Sequence, residues 1–260
     1  MKKITIKNIL ARKNKKPITC LTAYSKVTAE ILDKYCDIIL VGDSVGMSMY
    51  GMKTTKEVKI DTMILHGRSV KKFVKRSLVV FDMPYKTYLN KLTAYKNAKK
   101  ILKLTKCDAV KLEGGKKEIA TIKYLITKGI PVMGHVGLLP QTSRNFKLQG
   151  QNSTQRKKIL NDAIAISKVG VFAIVIECVV ESLAKKITKS ILTPTIGIGA
   201  SKYCDGQILV IDDMIGLNNT SPRFVKRYSN VRKNIDKAVK SYCEDVKRRK
   251  FPFSQNLYKQ

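Results

Sequence analysis

The sequence predicts an α/β protein, a single (β/α)8 TIM-type barrel over residues 1–260 with extra N- and C-terminal helices. Three observations predict it. Eight short runs of Val, Ile and Leu recur along the chain, separated mostly by stretches of helical periodicity, which is the habit of strands buried on both faces in a parallel sheet. The length of 260 residues with 44% hydrophobic content is enough for one full core and suits a barrel domain of about 250 residues. The competing doubly wound sheet carries a glycine fingerprint after its first strand, and the first run here, ITCLTAYS, has none. No linker, second domain or sequence repeat stands out.

A basic, helical start precedes the first run at 18–23, and Ser25 is placed to cap a helix over 25–35. IILVG at 38–42 is the second run. The following GMSMYGMKTTKEVKID is too rich in Gly and Met to be regular and reads as a loop with a short edge, before a helix around 61–75. SLVVF at 77–81 leads through MPYKTYLN to a helix over 91–105. AVKLEG at 109–114 precedes a helix over 116–128, with Gly129 at its C-cap and Pro131 restarting a strand. PVMGHVG at 131–137 is followed by an irregular stretch, 138–153, that is long for a βα loop; such loops serve as lids or binding elements. A helix over 154–168, the run FAIVIE at 172–177, a helix to about 190, TPTIGIGAS at 193–201 and QILVIDD at 207–213 complete the barrel, and helices from about 222 to 247 close the chain.

Composition narrows the class. No stretch approaches the roughly 18 apolar residues of a membrane span, and the basic N-terminus lacks the apolar core of a secretory signal, so a cytoplasmic protein with no membrane association is expected. The six cysteines are scattered without a CxxC pair, which indicates neither a disulfide framework nor a structural zinc. Cys178 follows Glu177; strand alternation aims it at the helices as a buried small hydrophobe. The net charge of +32 suits nucleic acid on its face. Its lysines, however, spread over nearly every helix without an aromatic motif, zinc finger or basic tail, so a solvated surface that attracts anionic substrates is expected, with no specific nucleic-acid partner.

The chemistry sits at the strand ends. Five runs finish on Asp43, Asp82, Glu113, His135 and Glu177, and a barrel gathers its strand C-termini into one mouth. Asp43, Asp82 and Glu113 end neighbouring strands; hard oxygen donors of this kind suit Mg2+ and leave positions for a chelating substrate, although singly each acid could cap the next helix. Lys111 lies two residues before Glu113 and shares its inward face. A buried lysine must be paired or functional, here as an ion-pair partner of Glu113 or Asp82, or as a cation for a substrate carboxylate. His135 sits in a Gly-flanked strand end where substrate contact is expected, whereas His66, inside a helical stretch, reads as a satisfied structural histidine. Glu177 shares a face with Ala173 and Val175 and projects from an apolar wall, a setting for a general acid or base, a salt bridge to a lysine being the alternative.

The segments ITCLTAYS, ILVGDSVGM, VVFDMPY, AVKLEGG, IPVMGHVGLLPQ, VIECV, PTIGIGAS, CDGQILVIDD and PRFVKRY, in this order over nearly the whole chain, resemble those of the ketopantoate hydroxymethyltransferase family. The resemblance implies a phosphoenolpyruvate/pyruvate-type barrel with Mg2+ held through Asp43, Asp82 and Glu113. It further implies that Asp43, Ser44, Asp82 and Lys111 contact a keto acid, His135 being counted with them, and that Glu177 carries the catalytic acid/base role. The implied reaction passes a hydroxymethyl group from 5,10-methylenetetrahydrofolate to 3-methyl-2-oxobutanoate, giving 2-dehydropantoate for pantothenate biosynthesis through a Mg-stabilised enolate, in a homo-oligomer that is commonly a decamer. Two departures are visible: TSRNF at 142–146 is shorter than the family's Gly-rich segment, and GIGAS lacks a second glycine. A lyase of the same barrel superfamily remains the enzymatic alternative, without an evident lyase-loop cysteine.

Overall fold

The computed structural model describes residues 2–143 and 146–258, and the chain divides into two compact units, Met1–Val210 and Ile211–Gln260. The first unit is a closed, all-parallel barrel of eight strands in sequence order: β1 Ile18–Thr22, β2 Ile38–Val41, β3 Leu78–Asp82, β4 Ala109–Lys111, β5 Val132–Gly137, β6 Ala173–Glu177, β7 Thr195–Ile198 and β8 Gly206–Leu209. Pairing of Ile18 with Gly206 and Cys20 with Ile208 closes the ring. Its helices are α1 Ile6–Leu10, α2 Lys26–Tyr35, α3 Val45–Tyr50, α4 Ile60–Phe73, α5 Lys91–Thr105, α6 Ile119–Thr127, α7 Ser153–Lys168 and α8 Glu181–Ser190. The second unit holds α9 Ile211–Met214 and α10 Val231–Lys247.

The expected caps form. Ser25 Oγ accepts from Thr28 N at the start of α2, and Gly129 adopts φ 77 after α6, a left-handed turn that costs glycine little. Two segments depart from expectation. Within GMSMYGMKTTKEVKID the chain forms α3, ended by Gly51 at φ 66, and then a 3-10 turn at Thr55–Glu57 held by a capping box between Thr54 and Glu57. Met is a good helix former, and the glycines there mark the helix end rather than disorder. Residues 217–230, in contrast, are irregular, and helix resumes only where Asn230 caps α10 by accepting from Lys233 N.

The barrel interior is apolar. Ile18, Cys20, Ile38, Leu40, Leu78, Val80, Ala109, Met133, Ala173, Val175, Ile196 and Ile208 form one cluster, which Ile4 and Ile9 from around α1 join. These are alternate residues along each strand, as the pleat requires. A short repeat that escapes notice in the sequence also emerges. Cys36-Asp37, Cys107-Asp108 and Cys204-Asp205 each stand immediately before an even-numbered strand. In each case the aspartate accepts the N–H of a residue at the start of the preceding strand, Thr19 (3.0 Å), Val79 (2.9 Å) and Thr195 (2.8 Å), while the cysteine is buried. The carboxylate supplies an acceptor for a donor left over where the ladder begins.

Candidate active site

The alternation that fills the core also aims the reactive groups. Inward Leu78 and Val80 put Asp82 into the barrel, Ala109 does so for Lys111 and then Glu113, Met133 for His135, and Ala173 with Val175 for Glu177. Asp43 breaks the pattern. Ile38 and Leu40 are inward, so an extended β2 would aim Gly42 inward instead; Asp43 reaches the mouth because the chain turns after Val41 and enters α3 at Val45.

Lys111 faces Asp82 directly across the β3–β4 register and donates to both its oxygens, at 2.9 and 2.8 Å, with both residues buried. Burial opposes its charge, but Asp82, Glu113 and Asp43 outweigh that cost and raise the Lys111 pKa, so it is a fixed ammonium. Asp43 behaves oppositely. Burial first and Asp82 second push its carboxyl up to about 7, against the pull of Lys111 and a hydrogen bond from Gln141. Burial also raises Glu113 well above the usual carboxylate range, although Lys111 opposes it. The predicted acids thus share one neighbourhood in which negative charge exceeds positive, the setting a divalent cation relieves. Lys111 engages both Asp82 oxygens and Gln141 engages Asp43 Oδ2 and Glu113 Oε2, and among the described residues no three His, Cys, Asp or Glu side chains stand ready to hold an ion as they are.

His135 is 1% exposed, and neither ring nitrogen makes a hydrogen bond. Its Nε2 lies 3.3 Å from Glu177 Oε2 and its Nδ1 3.7 Å from Glu113 Oε1. Burial and then Lys111 lower its pKa, so at neutral pH it is an uncharged imidazole with one N–H to give and one lone pair to offer. Among the described residues the neighbour beside the Glu177 carboxylate is this uncharged ring, and no lysine pairs with that carboxylate. Ser44 Oγ lies 2.7 Å from Tyr24 OH. His66 is satisfied as expected: Nδ1 meets Tyr24 O at 2.7 Å and Nε2 meets Tyr50 OH at 2.8 Å.

Cys178 is only half-buried, contrary to expectation, because the backbone leaves strand geometry there at φ 47. Burial and then the Glu177 charge push its thiol up to about 11, so it stays protonated. Gly137, at the end of β5, takes φ 97, and a Cβ there would lie 2.4 Å from Glu177 O; glycine lets the long loop leave against the end of β6. Of the shortened segment at 142–146, residues 144 and 145 lie outside the described residues.

Sequence reading missed two residues. Gln141, 0% exposed, donates from its backbone N–H to Glu113 Oε2 at 3.0 Å and from Nε2 to Asp43 Oδ2 at 2.9 Å and Met83 O at 3.0 Å. Tyr88 OH donates to Gln141 Oε1 at 2.5 Å. Both lie in loops, where periodicity gives no direction; the only hint was the placement of Gln141 at the end of GHVGLLPQ.

A profile of the family described as Ketopantoate hydroxymethyltransferase matches residues 3–254. The chain is 55% identical over 253 residues to the 3-methyl-2-oxobutanoate hydroxymethyltransferase of Pelagibacter ubique, covering 97% of this chain and 98% of that one. It is 51% identical over 263 residues to the enzyme of that name from Bartonella henselae, covering 100% and 96%. Solved structures of similar fold include phosphonopyruvate hydrolase in complex with oxalate and Mg++ (TM-score 0.63, 11% identity, 98% of this chain and 92% of that one). Another is 2,3-dimethylmalate lyase, a PEP mutase/isocitrate lyase superfamily member (TM-score 0.62, 10% identity, 95% and 85%). At such identities these two speak for the barrel alone, whereas the full-length match and the close relatives decide the family: this chain belongs to the ketopantoate hydroxymethyltransferases.

Proposed function

We propose that the chain transfers a hydroxymethyl group from 5,10-methylenetetrahydrofolate to 3-methyl-2-oxobutanoate, giving 2-dehydropantoate for pantothenate biosynthesis. The reading is carried by one observation: a buried acid cluster with a single lysine, set beside an unpartnered histidine and a glutamate, at the mouth of a barrel from this family.

Asp43, Asp82 and Glu113 would hold Mg2+, whose oxygen preference fits carboxylates that burial has driven towards protonation. When bound, Mg2+ would supply Lewis-acid polarisation of the keto acid's carbonyl. The ammonium of Lys111 holds the substrate carboxylate, with Asp43, Asp82 and Ser44 lining the same pocket. Glu177 takes the proton from C3. His135 is uncharged, with Nε2 3.3 Å from the Glu177 carboxylate and its second nitrogen towards Glu113, a position from which it orients the base. The enolate left by proton removal attacks the methylene carbon of the folate, and with one water consumed the products are 2-dehydropantoate and tetrahydrofolate.

We further propose cytoplasmic placement, a homo-oligomer, possession of no specific nucleic-acid partner and a surface charge of +32 that attracts anionic substrates. No helix among the described residues is long and apolar enough to cross a membrane.

The test is formation of 2-dehydropantoate from the two substrates with and without Mg2+. Glu177→Gln is expected to lower turnover by about 10²- to 10⁴-fold, the usual worth of a general base, with metal affinity retained. Absence of product from the wild-type protein at saturating Mg2+ and folate would overturn the reading.

A further inference from the structure

We propose that Gln141 is a positioning residue, one that fixes the carboxylates of Asp43 and Glu113 for a divalent cation by strapping the loop after β5 across the ends of β2, β3 and β4. The inference rests on the metal site proposed above.

Gln141 directs its main-chain N–H and its whole side-chain amide to the segments that follow three different strands. The main-chain N–H serves Glu113 after β4, the two amide hydrogens serve Asp43 after β2 and Met83 O after β3, and the amide oxygen receives Tyr88 OH from the β3–α5 loop. Only one orientation of the amide works. Turned over, its oxygen would face the Met83 carbonyl, which never carries a proton, and two acceptors would meet with no donor between them. Tyr88 fixes that choice, because its hydroxyl accepts from Glu113 N at 3.4 Å and keeps its own proton for Oε1.

The strap binds one oxygen of each carboxylate, Asp43 Oδ2 and Glu113 Oε2, and so sets the plane in which the second oxygen of each can meet another partner. Holding the loop alone would not need this side chain. The loop is tied elsewhere through Gln149, whose N–H donates to Cys178 O at 2.7 Å and whose carbonyl accepts from Val180 N at 3.0 Å, and through Lys56 Nζ donating to Ser143 O at 3.3 Å. A side chain that orients a ligating group is worth about 10- to 100-fold in metal affinity.

The experiment is calorimetric titration of Mn2+ alone into the full-length wild-type protein, Gln141→Met and Tyr88→Phe, with thermal unfolding of each in chelator. Methionine keeps the length and loses the donors. We expect Gln141→Met to weaken Mn2+ binding by about 10- to 100-fold and Tyr88→Phe to weaken it less, with unfolding temperatures close to wild type in both. Equal Mn2+ affinity in wild type and Gln141→Met, or a drop in unfolding temperature with affinity unchanged, overturns the inference. If Gln141→Met does not fold, Tyr88→Phe decides: affinity equal to wild type overturns it. A wild-type protein that binds no Mn2+ would instead bring down the metal site itself, and this inference with it.

Discussion

The two ends of the barrel use the same residue type to opposite effect. At the N-terminal end, Asp37 accepts the N–H and hydroxyl of Thr19 and pairs with Arg12 and Arg76. Asp108 lies between Lys3 and Lys71, each at 2.6 Å, and Asp205 pairs with Lys13 at 2.8 Å while accepting from Asn14 N and Thr195 N. Nearby Asp33 accepts the N–H groups of Lys75, Arg76 and Ser77. Burial alone would raise the pKa values of Asp33 and Asp37, yet these hydrogen bonds outweigh it and lower both. At the C-terminal mouth Asp43 and Glu113 are buried, meet too few donors and are raised. Satisfied carboxylates hold the fold; under-satisfied ones are held by it, which is the cost of a site that must receive something.

The contrast can be broken most directly at Lys111. Lys111→Ala strips the mouth of its counter-charge and is expected to destabilise by about 3–5 kcal/mol, as removal of one partner of a buried pair does, and to abolish turnover; denaturant unfolding and a product assay check both. If its stability matched wild type, the ammonium would not be balancing the acid cluster.

Asp205→Ala should show the opposite split. Losing an ion pair and two backbone donors' acceptor costs about 3 kcal/mol, while turnover per folded molecule stays near wild type. A large fall in that turnover would erase the distinction between the ends.

The pH dependence sharpens the comparison. With chelator present, the raised folded pKa of Asp43 means that the native state holds a proton the unfolded chain, with a pKa of about 4, has released. Stability contributed there is present at pH below about 4, falls as pH rises, and is lost once pH passes about 7. Asp43→Asn should flatten that decline and stabilise the metal-free protein at pH 8 by on the order of 1–3 kcal/mol, measured by unfolding across pH. The N-terminal end has the reverse sign. The lowered folded pKa of Asp33 gives stability that is present above about pH 4 and lost as pH falls through the folded value, so Asp33→Asn should make acid unfolding shallower. That effect is the smallest of the four.

Sequence alone determined the barrel, because eight buried parallel strands require eight apolar runs, and it determined which strand ends bring acids and the buried lysine into one mouth. Alternation from Ala109 gives the facing of Lys111 and Glu113, and alternation from Ala173 and Val175 gives that of Glu177, since a period of two is written in the chain. Tertiary structure decided what periodicity does not encode. Asp43 reaches the mouth through a turn, α3 forms where Gly and Met suggested a loop, and the Cys-Asp repeat acquires meaning only when neighbouring strands align. Gln141 and Tyr88 are the clearest case: their partners lie 98 and 53 positions away, and a hydrogen bond between loops depends on closure of the whole ring rather than on any local pattern.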